Sequence, residues 1–585
     1  MKKRPFEDIS RRSVLAGIGS LALGTPISAT ELGSKSSSLV KSMNSSSGYI
    51  DILRAPDQVY GFEGDRTIEL QLSGSAWHGS GIEVSAEPRR GAHGAEVPIV
   101  VKAPSVELRY IQLRWRGATI AGTRFLGDAW ERAYGDLEWV AMAPNRVMPW
   151  YFAATNHLAT HGYGVKTQTS AICFWQIDSD GISLWLDLRC GDRGVQLGDR
   201  ALEAAVVVAR EGKPGESSFT ATRELCRLMC EKPRNPATPI YGGNNWYYAY
   251  GEGFGAAEMV RDAEVMASLV PAAELNRPFM VIDMGWADTS DGAGPATRTK
   301  ANFPDMPGLA AKMKSVGARP GIWTRPLLSS VDHPESWRMA HNMMSGRAAP
   351  GMFLIDPSVP EALEYVKSEI KTIASWGFEL IKHDFSTYDL LGRWGFQMGV
   401  RLTNSGWSFA DRSRTTAEII VQFYRGLREA VGDTYLLGCN TMGHLSAGVF
   451  EASRIGDDTS GREWDRTWKM GVNCLAFRAP QHGTFFATDA DCVPITPDVP
   501  WEKTRRWLEL VSQSGTPLFV SLDPRSSNPE VVACLKTAFA HSAKPQPVCE
   551  ALDWADTTTP DRWRLGRREV QFDWSFGEGM SPFAG

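Results

Sequence analysis

The stretch FELIKHDFSTYDLLG, residues 378–392, decides how this chain is read. Its first residues are apolar and strand-like, and they follow VPEALEYVKSEIKTIASWG, a helical pattern with Pro360 near its first turn and Gly377 at its end. The strand then runs into Lys382, His383 and Asp384, although an unpaired buried ion costs several kcal/mol. Residues two apart on a strand share a face, so Lys382 and Asp384 point the same way. One reading is an ion pair satisfied at a strand end. The chemical reading is a lysine that keeps a neighbouring carboxylate ionised, as a nucleophile requires.

Working outward, strand-like and helical segments alternate on both sides. NNWYYAY, RPFMVIDMGWAD, RPGIWTRPL, FELIKHD, TYLLGCN, SRIGDD, TFFATDA and TPLFVSLD read as successive strands. Between them lie helical patterns such as AAEMVRDAEVMASLV, MPGLAAKMKSVGA and TTAEIIVQFYRGLREAVG. Eight strands with intervening helices predict a (β/α)8 barrel over residues 236–525. A doubly wound sheet would alternate similarly, but neither Gly-x-Gly-x-x-Gly nor Gly-Lys-Ser/Thr occurs where such sheets carry it. Upstream, residues 48–235 hold short β-branched and aromatic runs (RTIELQLSG, VELRYIQLRWRG, GISLWLDLRCGD) broken by Gly, Pro and Asp, the pattern of an antiparallel β-sandwich. Residues 526–585 return to strand alternation and are expected to form a small C-terminal β region. The fold class expected is thus multidomain α/β, a central TIM barrel between two β domains.

The N-terminus, MKKRPFEDISRRSVLAGIGSLALG, sets Arg11–Arg12 before an apolar run from Val14 to Leu23. That order resembles a twin-arginine export signal over residues 1–30, followed by a Ser-rich linker over 31–47, and it predicts a periplasmic or secreted protein. No other run approaches the ~20 apolar residues that span a bilayer, so no membrane is expected as a partner of the mature form. Across 585 residues, a net charge of -5 and a pI near 6.1 give no attraction toward nucleic acid or anionic lipid. The 21 tryptophans supply flat apolar walls suited to core packing or to sugar rings. Nine scattered cysteines form no zinc-type pairs, and the odd count leaves at least one outside any disulfide within the chain.

Barrel enzymes draw their reactive groups from the C-terminal ends of strands. Those ends carry Trp246; Asp283 and Trp286; Trp323 and Arg325; Lys382 and Asp384; Asn440; Arg454, Asp457 and Asp458; and Asp489 and Asp491. Two carboxyl groups across one cleft are what glycosidic cleavage needs, one to protonate the departing oxygen and one to attack the anomeric carbon or activate water. That chemistry calls for no metal and no redox cofactor, and none is expected.

NNWYYAYG, FMVIDMGWAD, RPGIWTRPL, FELIKHDF, SRIGDDTSG and TPLFVSLD, in that order, resemble the barrel motifs of the α-galactosidase clan, glycoside hydrolase families 27 and 36, and the three-part layout is similar to family 36. The resemblance implies a retaining α-glycosidase acting on α-galactosides or a related oligosaccharide or glycoside. It puts the nucleophile on Asp384 and the acid/base on Asp457, with Asp458 the alternative. Trp246, Asp283, Trp286, Trp323, Arg325, Lys382, Asn440 and Arg454 are then expected at the sugar. One departure bears on the sugar itself: galactose binders of the clan usually show Asp-Asp-Gly-Trp after strand two, and here the text is Asp283-Met284-Gly285-Trp286. Rival readings are a transglycosidase similar to the raffinose-synthase branch and a carbohydrate-binding barrel without turnover.

Overall fold

The computed structural model describes residues 47–340 and 351–575; the expected signal segment and nearly all of the Ser-rich stretch lie outside them. The N-terminal part is a 13-stranded antiparallel assembly built around one long strand, Gly94–Arg116. Val97, Ile99, Val101 and Ala103 are buried at every second position, and Ile111, Leu113 and Trp115 resume the same rhythm further on. Between them, Leu108 is buried on the other parity, and there the pairing with Phe62 and Glu63 slips by a bulge. The sandwich ends in Val195–Arg210 and a linking helix α1 (Ser218–Met229), whose N-cap Ser217 accepts from the Thr220 backbone N–H.

The barrel strands are β1 (Tyr241–Asn244), β2 (Phe279–Ile282), β3 (Arg319–Thr324), β4 (Leu380–His383), β5 (Tyr435–Gly438), β6 (Ala452–Arg454), β7 (Ala487–Asp489), β8 (Cys492–Ile495) and β9 (Leu518–Leu522). All pair in parallel, with β9 beside β1. The 9-stranded count hides an eight-stave barrel. β7 pairs with β6 and β8 pairs with β9, so the two are halves of one stave broken at Ala490–Asp491. Asp491 sits at φ 75°, a left-handed conformation that costs a non-glycine residue of order 1–3 kcal/mol. Around the strands run α2 (Ala256–Ser268), α3 (Met306–Ser315), α4 (Pro360–Ser375), the short α5 (Ser386–Leu391), α6 (Thr416–Ala430), α7 (Trp501–Ser512) and α8 (Pro529–Ser542).

α8 falls inside the residues expected as a β region. Asn528 caps it, Pro529 opens its first turn, and its buried face holds Val531, Leu535, Ala538 and Phe539, which suits a helix of the outer ring. Only afterwards comes a three-stranded antiparallel sheet, Glu550–Ala551, Arg562–Leu565 and Arg568–Gln571. All nine cysteines are free thiols. No described helix is long and apolar enough to cross a membrane.

Strand periodicity explains how charge reaches the mouth of the bore. Phe279, Val281, Leu380, Leu437, Ala452, Ala487, Cys492 and Phe519 form the apolar core of the barrel. Two residues further along their strands stand Asp283, Lys382, Cys439, Arg454 and Asp489, above that apolar layer. The alternate residue of β4, His383, has the opposite environment. It is fully buried among Phe423, Tyr424 and Phe450, and burial pushes its pKa down to about 4.

Candidate active site

Lys382 Nζ stands 2.8 Å from Asp283 Oδ2, and both side chains are buried. Burial works against the lysine's charge, but Asp283 outweighs it and holds the Lys382 pKa well above its ordinary value. The same Asp283 oxygen accepts from Asn244 Nδ2 at 2.7 Å, and the Asp283 backbone N–H donates to Asn245 Oδ1 at 2.7 Å. The Asn-Asn pair at the end of β1 therefore fixes Asp283 from two directions. Met284, half-buried, follows and brings no second carboxylate.

Asp384 lies one residue past β4 and is partly open. Its Oδ2 accepts from Trp323 Nε1 at 3.1 Å, and its Oδ1 from the Phe385 backbone N–H at 2.7 Å. Phe385 adopts φ 63°, the left-handed turn that carries the chain from β4 into α5. Trp286 is buried and donates through Nε1 to the Trp323 carbonyl at 2.9 Å, so it buttresses Trp323. Arg325 grips Asp389 with two bonds of 2.6 and 3.0 Å and lies 4.5 Å over the Phe385 ring. Its guanidinium is thus engaged by a carboxylate of α5. Trp246, half-buried, opens the short helix after β1, its N–H donating to Asn244 Oδ1 and its ring 5.6 Å from Tyr250. Asn440 accepts from the Tyr388 N–H and donates to Glu131.

The two acids after β6 differ. Asp457 is held between Arg132, 3.2 Å away, and Arg466, 2.6 Å away, with a side chain 13% exposed. Asp458 faces Arg454 at 3.1 Å and Arg132 at 3.4 Å, and its side chain is 37% exposed. Burial raises the cost of its charge, but Arg454, Arg132, Lys382 and Arg466 together hold its pKa down at about 2. Lys382 thus bears electrostatically on Asp384 as well as on Asp458. Arg454 is itself buried against Asp491 at 3.0 Å, and Asp491 accepts in addition from Tyr247 Oη and from the Thr459 N–H and hydroxyl. Burial pushes Asp489 up to about 6 against the opposing field of Arg454.

Two of these groups come from outside the barrel and are missing from the expected site. Ala133 in the sandwich forms a parallel bridge with Gly456: its N–H donates to the Ile455 carbonyl at 2.9 Å, and its carbonyl accepts from the Asp457 N–H at 2.8 Å. This isolated bridge brings Arg132 to both Asp457 and Asp458. It also delivers the buried Glu131, which accepts from Tyr134 Oη, Asn440 and the Gly395 N–H, the last at 2.8 Å. The only sequence signal is Glu131-Arg132 standing between aromatics in AWERAYGD, a stretch with no strand alternation. Asp491, one of the strand-end acids, proves to be the partner of Arg454, and Tyr247, which donates to it, was outside the expected set.

No protein-family model matches the chain. Among solved structures it is similar to an α-galactosidase of Thermus thermophilus in complex with p-nitrophenyl α-D-galactopyranoside, at 17% identity and a TM-score of 0.55 over 88% of this chain and 98% of that one. It is also similar to a family 36 α-galactosidase of Geobacillus stearothermophilus in complex with 1-deoxygalactonojirimycin, at 13% identity and a TM-score of 0.52, covering 81% of this chain and 69% of the other. An α-galactosidase of Lactobacillus brevis aligns at 12% identity with a TM-score of 0.52 over 83% and 70% of the two chains. The likeness establishes a shared fold, a sandwich followed by a TIM barrel, as the sequence motifs led us to expect.

Proposed function

We propose that the protein is an exported retaining α-glycosidase acting on α-galactosides or a closely related sugar. The observation that carries this reading is the pair of partly exposed carboxylates, Asp384 after β4 and Asp458 after β6, at the C-terminal ends of strands in a barrel whose fold α-galactosidases share. A carboxylate oxygen of Asp384 attacks the anomeric carbon as the bond to the leaving group breaks and the departing oxygen takes a proton from the acid. The acid, now ionised, then takes a proton from water while the water oxygen bonds to the anomeric carbon and Asp384 is released.

Of the two candidates for that acid/base, the greater exposure of Asp458 favours it over Asp457, the first choice from the family motif. Asp458 is ionised at neutral pH, which suits the second half-reaction. The first half needs it protonated, so donors with poor leaving groups are expected to turn over faster at acidic pH. Asp283 is the only acid at the end of β2, and its Oδ2 is already engaged by Lys382 and Asn244. Met284 beside it supports a sugar that asks less of this edge than galactose does.

The test compares variants on two donors of one sugar, an α-glycosyl fluoride and an α-linked disaccharide. Asp384→Ala should abolish turnover of both while the fold, read by circular dichroism, survives; activity retained with either donor overturns the nucleophile. Asp458→Ala should lose the disaccharide by about 100-fold or more, while the fluoride, whose departure needs no proton, still glycosylates Asp384 and regains turnover when azide replaces the missing base of the second step. The same pattern in Asp457→Ala with a mild Asp458→Ala would return the role to Asp457. The N-terminal Arg11-Arg12 pair supports export through the twin-arginine route. Retention of the unprocessed chain in the cytoplasm would count against it.

A further inference from the structure

The aromatic groups beside the two carboxylates are absorbed neither by the core nor by the mechanism above. Trp394, half-buried in the loop after α5, stacks on Tyr388 at 4.1 Å and 19°. Its ring is tilted by 60° against that of Phe385, the residue after the proposed nucleophile, with the ring centres 5.5 Å apart. Arg132, which holds Asp457 and Asp458, lies 5.4 Å from its ring centre. Trp394 therefore stands between the surroundings of the attacking group and those of the proton donor, where a leaving group must emerge. Past it Phe396, 53% exposed, rests its ring edge-on against Tyr134 of the sandwich.

The platform is also rigid. The loop's Gly395 N–H is tied to Glu131, which is buried and bonded to Asn440 and Tyr134, and the Trp394 N–H closes a turn on Gln397 Oε1 at 3.1 Å. A surface held from both the barrel and the sandwich is ordered before a ligand arrives, which lowers the cost of binding.

We infer that Trp394, extended by Phe396, is a leaving-group subsite that takes the apolar face of the sugar ring attached through the scissile oxygen. A pyranose presents axial C–H groups on one face and suits an indole plane, whereas an alkyl or fluoride leaving group has no such face. The inference rests on the proposed glycosidase activity. The substrate class it selects is an oligosaccharide with a sugar on the leaving side, in preference to a glycoside with a small aglycone.

The readout is the ratio of kcat/KM for an α-linked disaccharide to that for the α-glycosyl fluoride of the same donor sugar, at one pH, in the full-length wild type, Trp394→Ala and Trp394→Phe. Trp394→Ala should lower the ratio roughly tenfold, mostly through KM of the disaccharide, and Trp394→Phe, which keeps a ring, should restore most of it. The fluoride arm reports whether the variant is folded and competent. An unchanged ratio in Trp394→Ala overturns the subsite and leaves the glycosidase reading intact. Wild type inactive on both donors for every sugar tried overturns the reading and the subsite together.

Discussion

Lys382 is the residue on which the site turns. It is buried, it ties Asp283, and its field reaches Asp384 and Asp458. Taking away one partner of a buried pair leaves the other charge uncompensated, which costs about 3–5 kcal/mol. Lys382→Met should therefore lower stability to urea by that order, and Lys382→Met combined with Asp283→Leu should recover much of it. A single variant as stable as wild type would show that Asp283 finds another cation. The pair was legible as far as alternation goes: Leu380, Lys382 and Asp384 had to share a face, and His383 had to leave it. What alternation could not supply was the partner. Lys382 looked like a companion of Asp384, whereas its contact is with Asp283, two strands away around the barrel. Likewise Arg325, at a strand end with the right chemistry, is consumed by Asp389, because an arginine fork is satisfied by the nearest carboxylate of matching geometry.

At the scale of elements, the segment 129–136 is a sandwich loop tied by a single bridge to the chain just past β6. Its bridge to Gly456 puts Arg132 on the two acids, and no pattern in the barrel sequence can announce a group that arrives from more than 300 residues upstream. The barrel helices and strands, by contrast, follow from local period and capping and could be read one by one. Arg132 is a positioning residue by this account. Arg132→Gln removes one of the cations that depress Asp458, so its pKa rises and the protonated form persists to higher pH. The alkaline limb of kcat/KM for a disaccharide should move upward in pH, with a smaller change for the fluoride. A profile that only falls in height, without moving, would leave Arg132 a structural role alone. The interrupted stave β7–β8 was likewise hidden: TFFATDA reads as the whole of strand seven, and only the switch of partners at Asp491 shows that Cys492–Ile495 continues it.

At the scale of the whole molecule, acidity acts on buried histidines. His383 in its aromatic cage and His444, stacked on Trp150 at 4.9 Å, are both pushed by burial down to about 4. In the unfolded chain each titrates near 6.5, so between about pH 6.5 and 4 the unfolded state binds protons that the folded state does not, and stability falls as pH falls. The slope is at most about 1.4 kcal/mol per pH unit for each histidine. Urea midpoints should decline through that window, and His444→Phe, which retains the stacking, should make the decline shallower; an unaltered slope would mean that other groups govern it. The sandwich and barrel lie in one compact unit, and the bridge at Ala133 gives that union a meaning beyond stability. A barrel joined to a sandwich from another source would keep Asp384, Asp457 and Asp458 yet lose the arginine paired with both of the last two. The portion of chain that can be exchanged without resetting the chemistry is therefore the sandwich and barrel together, and the natural cut between them, at the linking helix, divides the active site.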